Sequence, residues 1–228
     1  TGYVLDRLAA LAVREGDLTD YPLFLTASAN RMWLVGGSLP VMTGAGLVNR
    51  LPVWNREGEL VHWTEKVHLF RQMHEDSAFI PGTPSGIFRL EEFEAAAALC
   101  YDLRFPEVFR RLVLMGAELI FVPAQWPARR AGLFRSLLRA RAAEAQVFVV
   151  GCNLGGEHLG VEFGGGGGVA LPTGDLLDGT AVSEGVTDFE IDRSLIADTR
   201  ESIDCLSDRR PDAYGNWFGP GGSTRRVR

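Results

Sequence analysis

Lysine is almost absent from this chain. All but one of its 23 basic residues are arginines, and the exception is Lys66. An arginine-rich chain that keeps one lysine can need a compact point charge at that place, so Lys66 is a candidate functional residue. The alternative is an ordinary exposed lysine. An excess of basic charge is also absent, since 29 acidic residues give a net charge of -6. The sequence therefore predicts no nucleic-acid partner.

Long apolar runs and paired cysteines are lacking too. No run approaches the roughly 18 apolar residues of a membrane span, and no secretory signal is recognisable, so no membrane partner is expected. Three cysteines are an odd and small number, which favours a reducing compartment over a disulfide framework. We therefore expect a cytoplasmic protein. The four histidines show no metal-ligand spacing, and neither a metal nor another cofactor is expected.

Helical and strand patterns alternate along the chain. A chain of 228 residues can form one domain with a substantial core. Apolar spacing predicts helices over residues 4–15, 21–30 and 129–145, and from Pro106 onward. Strands are predicted over 31–38, 44–55, 60–64, 118–122 and 147–153, and on both sides of Glu91-Glu92. We expect an α/β fold with helices outside and sheets inside, a domain over residues 1–214, and a flexible tail over 215–228.

The stretch around Cys100 carries the strongest signal of a functional site. Residues 93–99 form an apolar run short enough to be a buried strand, and Pro106 suits the first turn of a helix. A cysteine between the two sits in a sharp turn, where its sulfur can face a cleft and the helix N-terminus favours the thiolate. The alternative is a small buried hydrophobe. Polar neighbours argue against a plain core strand: Tyr101, Asp102 and Arg104.

Four segments resemble, in order, the motifs of the carbon–nitrogen hydrolase (nitrilase) superfamily. Cys-Tyr-Asp-Leu-Arg-Phe-Pro-Glu at 100–107 is similar to its nucleophile motif, and Glu-Lys-Val-His-Leu-Phe at 65–70 to its lysine motif. Phe-Val-Pro-Ala-Gln-Trp-Pro at 121–127 and Leu-Arg-Ala-Arg-Ala-Ala-Glu at 138–144 match two more. The resemblance runs from Thr1 to about Tyr214. With Glu75 nine positions after Lys66, the chain is most similar to the omega-amidase-like branch.

The resemblance implies a fold, an assembly and a further site residue. The fold is a four-layer α-β-β-α sandwich, and the assembly is a homodimer or a larger homo-oligomer. Glu75 would be the second glutamate of the site, which orients Lys66 and the leaving nitrogen of the substrate. The alternative for Glu75 is a solvated loop acid.

The resemblance further implies a catalytic base that this sequence does not contain. In the family, a triplet like Thr1-Gly2-Tyr3 closes the segment that carries this glutamate, expected four residues before Thr1. The first strand–helix–strand unit is expected there as well. Either the sequence belongs to a longer protein or the general base is lacking. We favour the first, because the second leaves a strand edge open. In the second case Glu75 is the only nearby group left to accept the thiol proton.

Hydrolysis of an amide through a thioester needs a nucleophile and positive support for the carbonyl oxygen. Cys100 is the candidate nucleophile, since a thiolate attacks well and forms a thioester that water can open. Lys66 is the candidate support for the oxyanion. The backbone N–H of Tyr101, at the start of the turn, is a candidate second donor to it.

Three arginines and a tryptophan are candidates for substrate binding. Arg104, Arg129 and Arg130 could hold a carboxylate, with structural ion pairs as the alternative, and Trp126 could form a pocket wall. We expect a hydrolase of the ω-amide of a small carboxylic acid, such as an α-keto-acid monoamide, that releases ammonia. Nitrilase, N-carbamoyl-amine hydrolase and deaminated-peptide amidase activities stay open. So do a thiol acyltransferase and, from another class, a catalytically silent homologue that serves as a binding or assembly module.

Three further features of the sequence each carry an expectation. Cys152 ends an apolar strand with no helix start after it, and we predict a core cysteine. Lys66 and His68 would share one face of a strand, so His68 either supports the site or only packs. The glycine run at 164–168 lacks the lysine and hydroxyl residue of a phosphate-binding loop, and it predicts a close backbone approach.

Overall fold

The computed structural model describes residues 7–83, 85–177, 180–183 and 185–214. The α-helices in this part are α1 (Leu8–Leu11), α2 (Leu23–Asn30), α3 (Pro106–Leu114), α4 (Ala131–Ala145), α5 (Ser194–Ser202) and α6 (Pro211–Tyr214). Short 3-10 helices cover Glu15–Asp20, Arg71–Met73, Glu75–Ser77, Cys100–Arg104 and Ala128–Arg130.

The strands alternate with these helices along the chain. They are β1 (Val13–Arg14), β2 (Leu34–Val35), β3 (Leu39–Thr43), β4 (Gly46–Trp54), β5 (Leu60–Glu65), β6 (Phe88–Leu90), β7 (Phe93–Ala97) and β8 (Leu119–Ala124). After α4 follow β9 (Phe148–Asn153), β10 (Gly155–His158), β11 (Val161–Gly164), β12 (Gly168–Ala170), β13 (Leu176–Leu177), β14 (Thr180–Ser183) and β15 (Val186–Asp188). Most of the strands belong to two larger sheets, and two hairpins stand apart.

A six-stranded sheet carries the Cys100 segment. Its order is β13-β12-β9-β8-β7-β6, in which β7, β8 and β9 are parallel and the outer pairs antiparallel. Along β7, Ala96 faces the helices, whereas Ala95 and Ala97 face the other sheet. Because both faces are covered, this strand reads as a continuous apolar run in the sequence.

A five-stranded sheet carries the Lys66 segment. Its order is β1-β3-β4-β2, and β5 also pairs with β4. Side chains alternate along β4, so that Val48 packs on the outer face while Leu51 and Val53 pack toward the six-stranded sheet. β5 ends at Glu65, directly before Lys66.

The two sheets and their helices form four layers. α3 and α4 cover the outer face of the six-stranded sheet through fully buried side chains such as Phe109 and Phe134. The sheets meet in a second apolar cluster, which includes Leu51 and Phe148. Leu18 of a 3-10 helix packs on the outer face of the five-stranded sheet, beside α1 and α2. This arrangement confirms the α-β-β-α sandwich.

Several predicted elements differ from the observed ones. The described part of the helix predicted over 4–15 begins at residue 7, and its α-helix is α1. Val13 pairs in parallel with Val41 of β3 and so starts a strand. The predicted strand over 31–38 is only β2. The β10–β11 hairpin was missed, since its residues are glycine-rich and mostly exposed and give no apolar alternation. The triplet at 1–3 and the tail at 215–228 lie outside the described residues. No described helix is both long and apolar enough to cross a membrane.

Candidate active site

Cys100 lies in a sharp turn after β7, as the sequence predicts. The strand ends at Ala97, and Cys100 begins a 3-10 helix that α3 follows from Pro106. The backbone of Cys100 is left-handed, with a φ of 47°. Such a conformation is strained for a residue other than glycine, and strain of this kind persists where the surrounding structure holds it in place. The strained turn marks Cys100 as a candidate functional position.

The thiol of Cys100 is surrounded by charged groups. Cys100 is partly exposed, yet burial by surrounding atoms is the main influence on its thiol and raises its pKa. The Lys66 ammonium and a hydrogen bond from the Gln125 backbone N–H act in the opposite direction, whereas the carboxylates of Glu75 and Asp102 add to the rise in pKa. The resting thiol is therefore protonated at neutral pH.

Lys66 is a buried lysine, not a surface one. Its side chain is 2% exposed, and its Nζ donates to both carboxylate oxygens of Glu75 at 2.7 and 2.6 Å. Glu75 is 5% exposed and also accepts the Phe70 N–H at 2.7 Å. It lies in a 3-10 helix, while its neighbour Asp76 is exposed to solvent. Removing either partner would leave an uncompensated buried charge, which is strongly destabilising.

Asp102 connects the Lys66 segment to the Cys100 segment. Its Oδ1 accepts the His68 N–H at 2.8 Å and lies 2.8 Å from His68 Nδ1. Its Oδ2 accepts the N–H groups of Val67 at 3.3 Å and Leu99 at 3.2 Å. The expectation that Lys66 and His68 share a strand face is wrong, because β5 ends before both residues.

Lys66, Glu75 and Cys100 line one cavity of about 410 Å³. This volume suits a small organic substrate. Strands of both sheets and the segments after them supply its other walls, which include Asn49, Phe79, Pro123, Gln125, Cys152 and Asn153. The structure thus brings together the three residues predicted to be catalytic.

Tyr101, Arg104 and Trp126 border a different space. Together with Cys100 they line a cavity of only about 20 Å³. Trp126 is 4% exposed, and the guanidinium of Arg104 lies over its ring, 4.8 Å from the centroid. Trp126 is therefore mainly a core residue that supports Arg104. The backbone N–H of Tyr101 donates to no described residue, which leaves it available to an oxyanion.

Arg129 and Arg130 lie farther along the same surface. Both line a cavity of about 480 Å³, which shares Gln125 with the cavity of Cys100. Arg130 is half-buried, lies 6.0 Å from the centroid of the Phe70 ring, and also borders the small cavity beside Cys100. Arg129 is exposed. Neither arginine pairs with a carboxylate within the described ranges.

Gln125 and Asn153 are site residues that the sequence analysis missed. The Gln125 N–H donates to the Cys100 sulfur. Asn153 Oδ1 accepts the Trp126 N–H at 2.6 Å, and its Nδ2 donates to the carbonyls of Trp126 at 3.2 Å and Gly165 at 2.6 Å. Asn153 thereby fixes the loop that carries Gln125. A polar residue at the end of a buried strand is the only signal in the sequence, and it is unspecific.

Cys152 is exposed and lines the same cavity as Cys100, so the prediction of a core cysteine is wrong. Along β9 the buried residues next to it are Gly151 and Asn153, and strand alternation turns Cys152 the other way. The close approach predicted for the glycine run is confirmed, because a Cβ on Gly167 would lie 2.5 Å from the Gly151 carbonyl oxygen. The described residues hold no group of three or more metal-ligating side chains.

Known proteins share this sequence pattern and fold. The carbon–nitrogen hydrolase model matches residues 3–201, and the chain belongs to this family. The 2-oxoglutaramate amidase of Bacillus subtilis (strain 168) is 36% identical over 214 residues, which cover 94% of this chain and 83% of that protein. The omega-amidase YafV of Escherichia coli (strain K12) is 31% identical over 221 residues, which cover 95% and 82%. Both agree with the omega-amidase-like branch.

A solved structure extends the similarity to the fold. A variant of the amidase from Nesterenkonia sp. AN1 superposes with a TM-score of 0.77 at 27% identity, over 95% of this chain and 79% of that one. That variant carries the acetamide moiety of fluoroacetamide, added covalently at its active-site cysteine. Cysteine chemistry on an amide compound therefore occurs on this fold.

Proposed function

We propose that this protein hydrolyses the ω-amide of a small carboxylic acid, such as an α-keto-acid monoamide, through a thioester on Cys100. The observation that carries the proposal is the buried Lys66–Glu75 pair in the cavity that Cys100 also lines. The similarity to a protein named 2-oxoglutaramate amidase supports the substrate class.

The reaction has two halves. In the first, the Cys100 thiol loses its proton and its sulfur bonds to the amide carbon, while the carbonyl oxygen becomes an oxyanion beside Lys66 and the Tyr101 N–H. The C–N bond then breaks, and the nitrogen leaves as ammonia with the proton that the thiol released. In the second half, water attacks the thioester, the carboxylic acid departs, and the sulfur regains a proton.

The carboxylates beside the thiol are already occupied by other donors. Glu75 directs both oxygens at Lys66, and Asp102 accepts from Val67, His68 and Leu99. A carboxylate held in this way is poorly placed to take the thiol proton. The geometry therefore favours an orienting role for Glu75 over the role of proton acceptor.

Two arginines near Cys100 support the proposal that the substrate carries a carboxylate. Arg104 and Arg130 are half-buried and border the small cavity next to Cys100. Neither forms an ion pair with a described carboxylate, and a guanidinium binds a carboxylate through paired hydrogen bonds. A short monoamide would place its amide at Cys100 and its carboxylate at one of these two cations.

Ammonia release from 2-oxoglutaramate tests the proposed function. A nitrile and an N-carbamoyl amino acid should release little or no ammonia, and a deaminated peptide should not be cleaved to its carboxylic acid and free amine. These three compounds represent the alternatives within the same chemistry. Cys100→Ala should abolish ammonia release, whereas the matched control Cys152→Ala, in the same cavity, should retain it. Activity that survives Cys100→Ala would disprove the thioester mechanism. Absence of turnover with every substrate would favour the silent homologue.

The arginine assignment has its own test. The corresponding amide without a carboxylate should show a much higher KM on the wild-type protein. Arg130→Met should raise KM for the monoamide but leave KM for the neutral amide unchanged, and Arg129→Met is the exposed control. Equal effects of Arg130→Met on both amides would show that Arg130 does not bind the carboxylate.

We extend the proposal to compartment and assembly. All three cysteines are free thiols, which suits a reducing, cytoplasmic environment. The outer helices α3 and α4 expose apolar side chains such as Leu114, 53% exposed, and Leu133, 42% exposed, which supports a homodimer or a larger homo-oligomer. Light scattering at micromolar concentration should give at least twice the monomer mass, and a monomer would contradict the assembly.

A further inference from the structure

Asp102 is a buried carboxylate for which the reaction above has no use. It is 1% exposed, and a buried charge is costly unless it is fully hydrogen-bonded. Its two oxygens face four donors, and each oxygen receives two of them. Of these four donors, only the Leu99 N–H belongs to the start of Asp102's own short helix, and the other three come from Val67 and His68.

The donors come from two segments on different sheets. The N–H groups of Val67 and His68 directly follow Lys66, whereas the N–H of Leu99 directly precedes Cys100. Lys66 follows the five-stranded sheet, and Cys100 follows the six-stranded sheet. Because the two sheets share no backbone ladder, strand pairing cannot fix the distance from the ammonium to the sulfur.

The His68 ring adds a second connection between the same segments. Its Nδ1 lies 2.8 Å from Asp102 Oδ1, and its ring stacks on Phe105 with centroids 3.5 Å apart and planes 4° apart. Phe105 closes the 3-10 helix that Cys100 begins. A backbone N–H, a ring N–H and a stacked ring thus hold His68 against the nucleophile segment.

We propose that Asp102 and His68 form a positioning pair that sets the spacing between Lys66 Nζ and the Cys100 sulfur. Neither residue touches the substrate. The inference rests on the proposed function wherever turnover is the readout, and a second readout on the Cys100 thiol does not depend on it.

Asp102→Asn is the stronger variant. An amide has one oxygen, so two of the four donors would face its NH2 group and the two segments would separate. We expect kcat for the monoamide to fall about 100-fold with little change in KM, since a displacement of about 1 Å can cost that much. The matched control is Glu118→Gln, because Glu118 also joins two elements, through Arg193 and the Glu94 N–H, remote from Cys100. Glu118→Gln should change thermal stability and leave kcat unaltered.

His68→Phe keeps an aromatic ring to stack on Phe105 and removes the ring donor without removing a carboxylate. We expect kcat to fall about 3- to 10-fold, as the loss of one hydrogen bond implies.

The pKa of the Cys100 thiol gives a second signal that does not depend on turnover. The groups that act on its pKa are Lys66 and the Gln125 N–H, which lower it, and Glu75 and Asp102, which raise it. If His68→Phe lets Lys66 move away from Cys100, the Lys66 charge lowers the pKa of the thiol less. The pH inflection for alkylation of Cys100 should therefore move upward.

Mass spectrometry after iodoacetamide treatment follows Cys100 separately from Cys152 and Cys205, whose rates serve as internal references. Unchanged kcat in Asp102→Asn, or a loss of activity that only matches its loss of folded protein, would overturn the positioning pair. If Asp102→Asn does not fold, an unchanged alkylation profile in His68→Phe overturns it instead. Absence of turnover in the wild-type protein would reject the proposed function, and the alkylation profile would still decide the positioning pair.

Discussion

Two cysteines line the same cavity, and their surroundings differ. Cys152 lies in the regular ladder of β9, opposite Pro123 of β8, and is the more exposed of the two. Cys100 lies in a left-handed turn, accepts the Gln125 N–H, and faces a buried lysine. Exposure alone would select Cys152 as the reactive thiol. The surroundings select Cys100, because a nucleophile needs nearby groups that stabilise its charge and that of the oxyanion.

The largest expected effect separates the two thiols directly. Cys100→Ala should lower kcat/KM for the monoamide by about 10³-fold or more, because no thioester can form without the sulfur. Cys152→Ala should change it by no more than about twofold, because the sulfur of Cys152 forms no bond to the substrate in the proposed reaction. Steady-state ammonia release measures both. Equal losses in the two variants would remove the distinction between the cysteines.

The second prediction concerns Lys66, whose charge acts on the Cys100 thiol. Lys66→Met should lower kcat by about 10²- to 10³-fold, the usual cost of one lost oxyanion donor. Lys66→Arg keeps the charge but not the compact ammonium, and we expect it to remain well below wild type. Full activity of Lys66→Arg would show that only the charge matters.

Glu75 and Asp76 are neighbouring acids with opposite environments. Glu75→Gln leaves Lys66 buried without its anion, and we expect a loss of about 3–5 kcal/mol of stability together with a lower kcat. Asp76→Asn is the control in the same 3-10 helix, and as an exposed change it should cost less than about 0.5 kcal/mol. Urea unfolding monitored by tryptophan fluorescence compares the two. Similar midpoints would contradict the buried-pair interpretation.

The smallest effect concerns the pH dependence of Cys100 alone. Burial raises the pKa of its thiol, so the thiolate fraction at neutral pH is low and grows only above the ordinary titration range. Alkylation of Cys100 should therefore be slow at pH 7 and rise at alkaline pH. In Lys66→Met the inflection should move further upward, since the Lys66 charge lowers this pKa. A downward shift would mean that the ammonium does not act on the sulfur.

The sequence predicts the elements that have both a strong apolar pattern and a motif. The strands β7, β8 and β9 and the helices α3 and α4 follow from their apolar periodicity, and Pro106 does begin α3. The turn at Cys100 follows from the change of pattern between strand and helix. Prediction from the local sequence works for these elements because each segment has one dominant secondary-structure preference.

Contacts between distant segments could not be predicted in the same way. Asp102 reads as one more polar residue near a turn, and only the folded chain shows that it binds the segment after Lys66. Asn153 is similar, since its partners lie 27 and 12 positions away. The apolar character of β9 predicts a core position for Cys152, because it does not tell which face the last residues of the strand present.

The buried lysine has a consequence for how the folded protein meets amine-reactive compounds. Lys66 is the only lysine in the sequence, and 2% of its side chain is exposed. Within this sequence, therefore, no exposed lysine amine meets acylating or cross-linking reagents. A reagent that acylates Lys66 has to enter the cavity of Cys100 and displace the ammonium from Glu75, so the rate of acylation reports how firmly the Lys66–Glu75 pair is held.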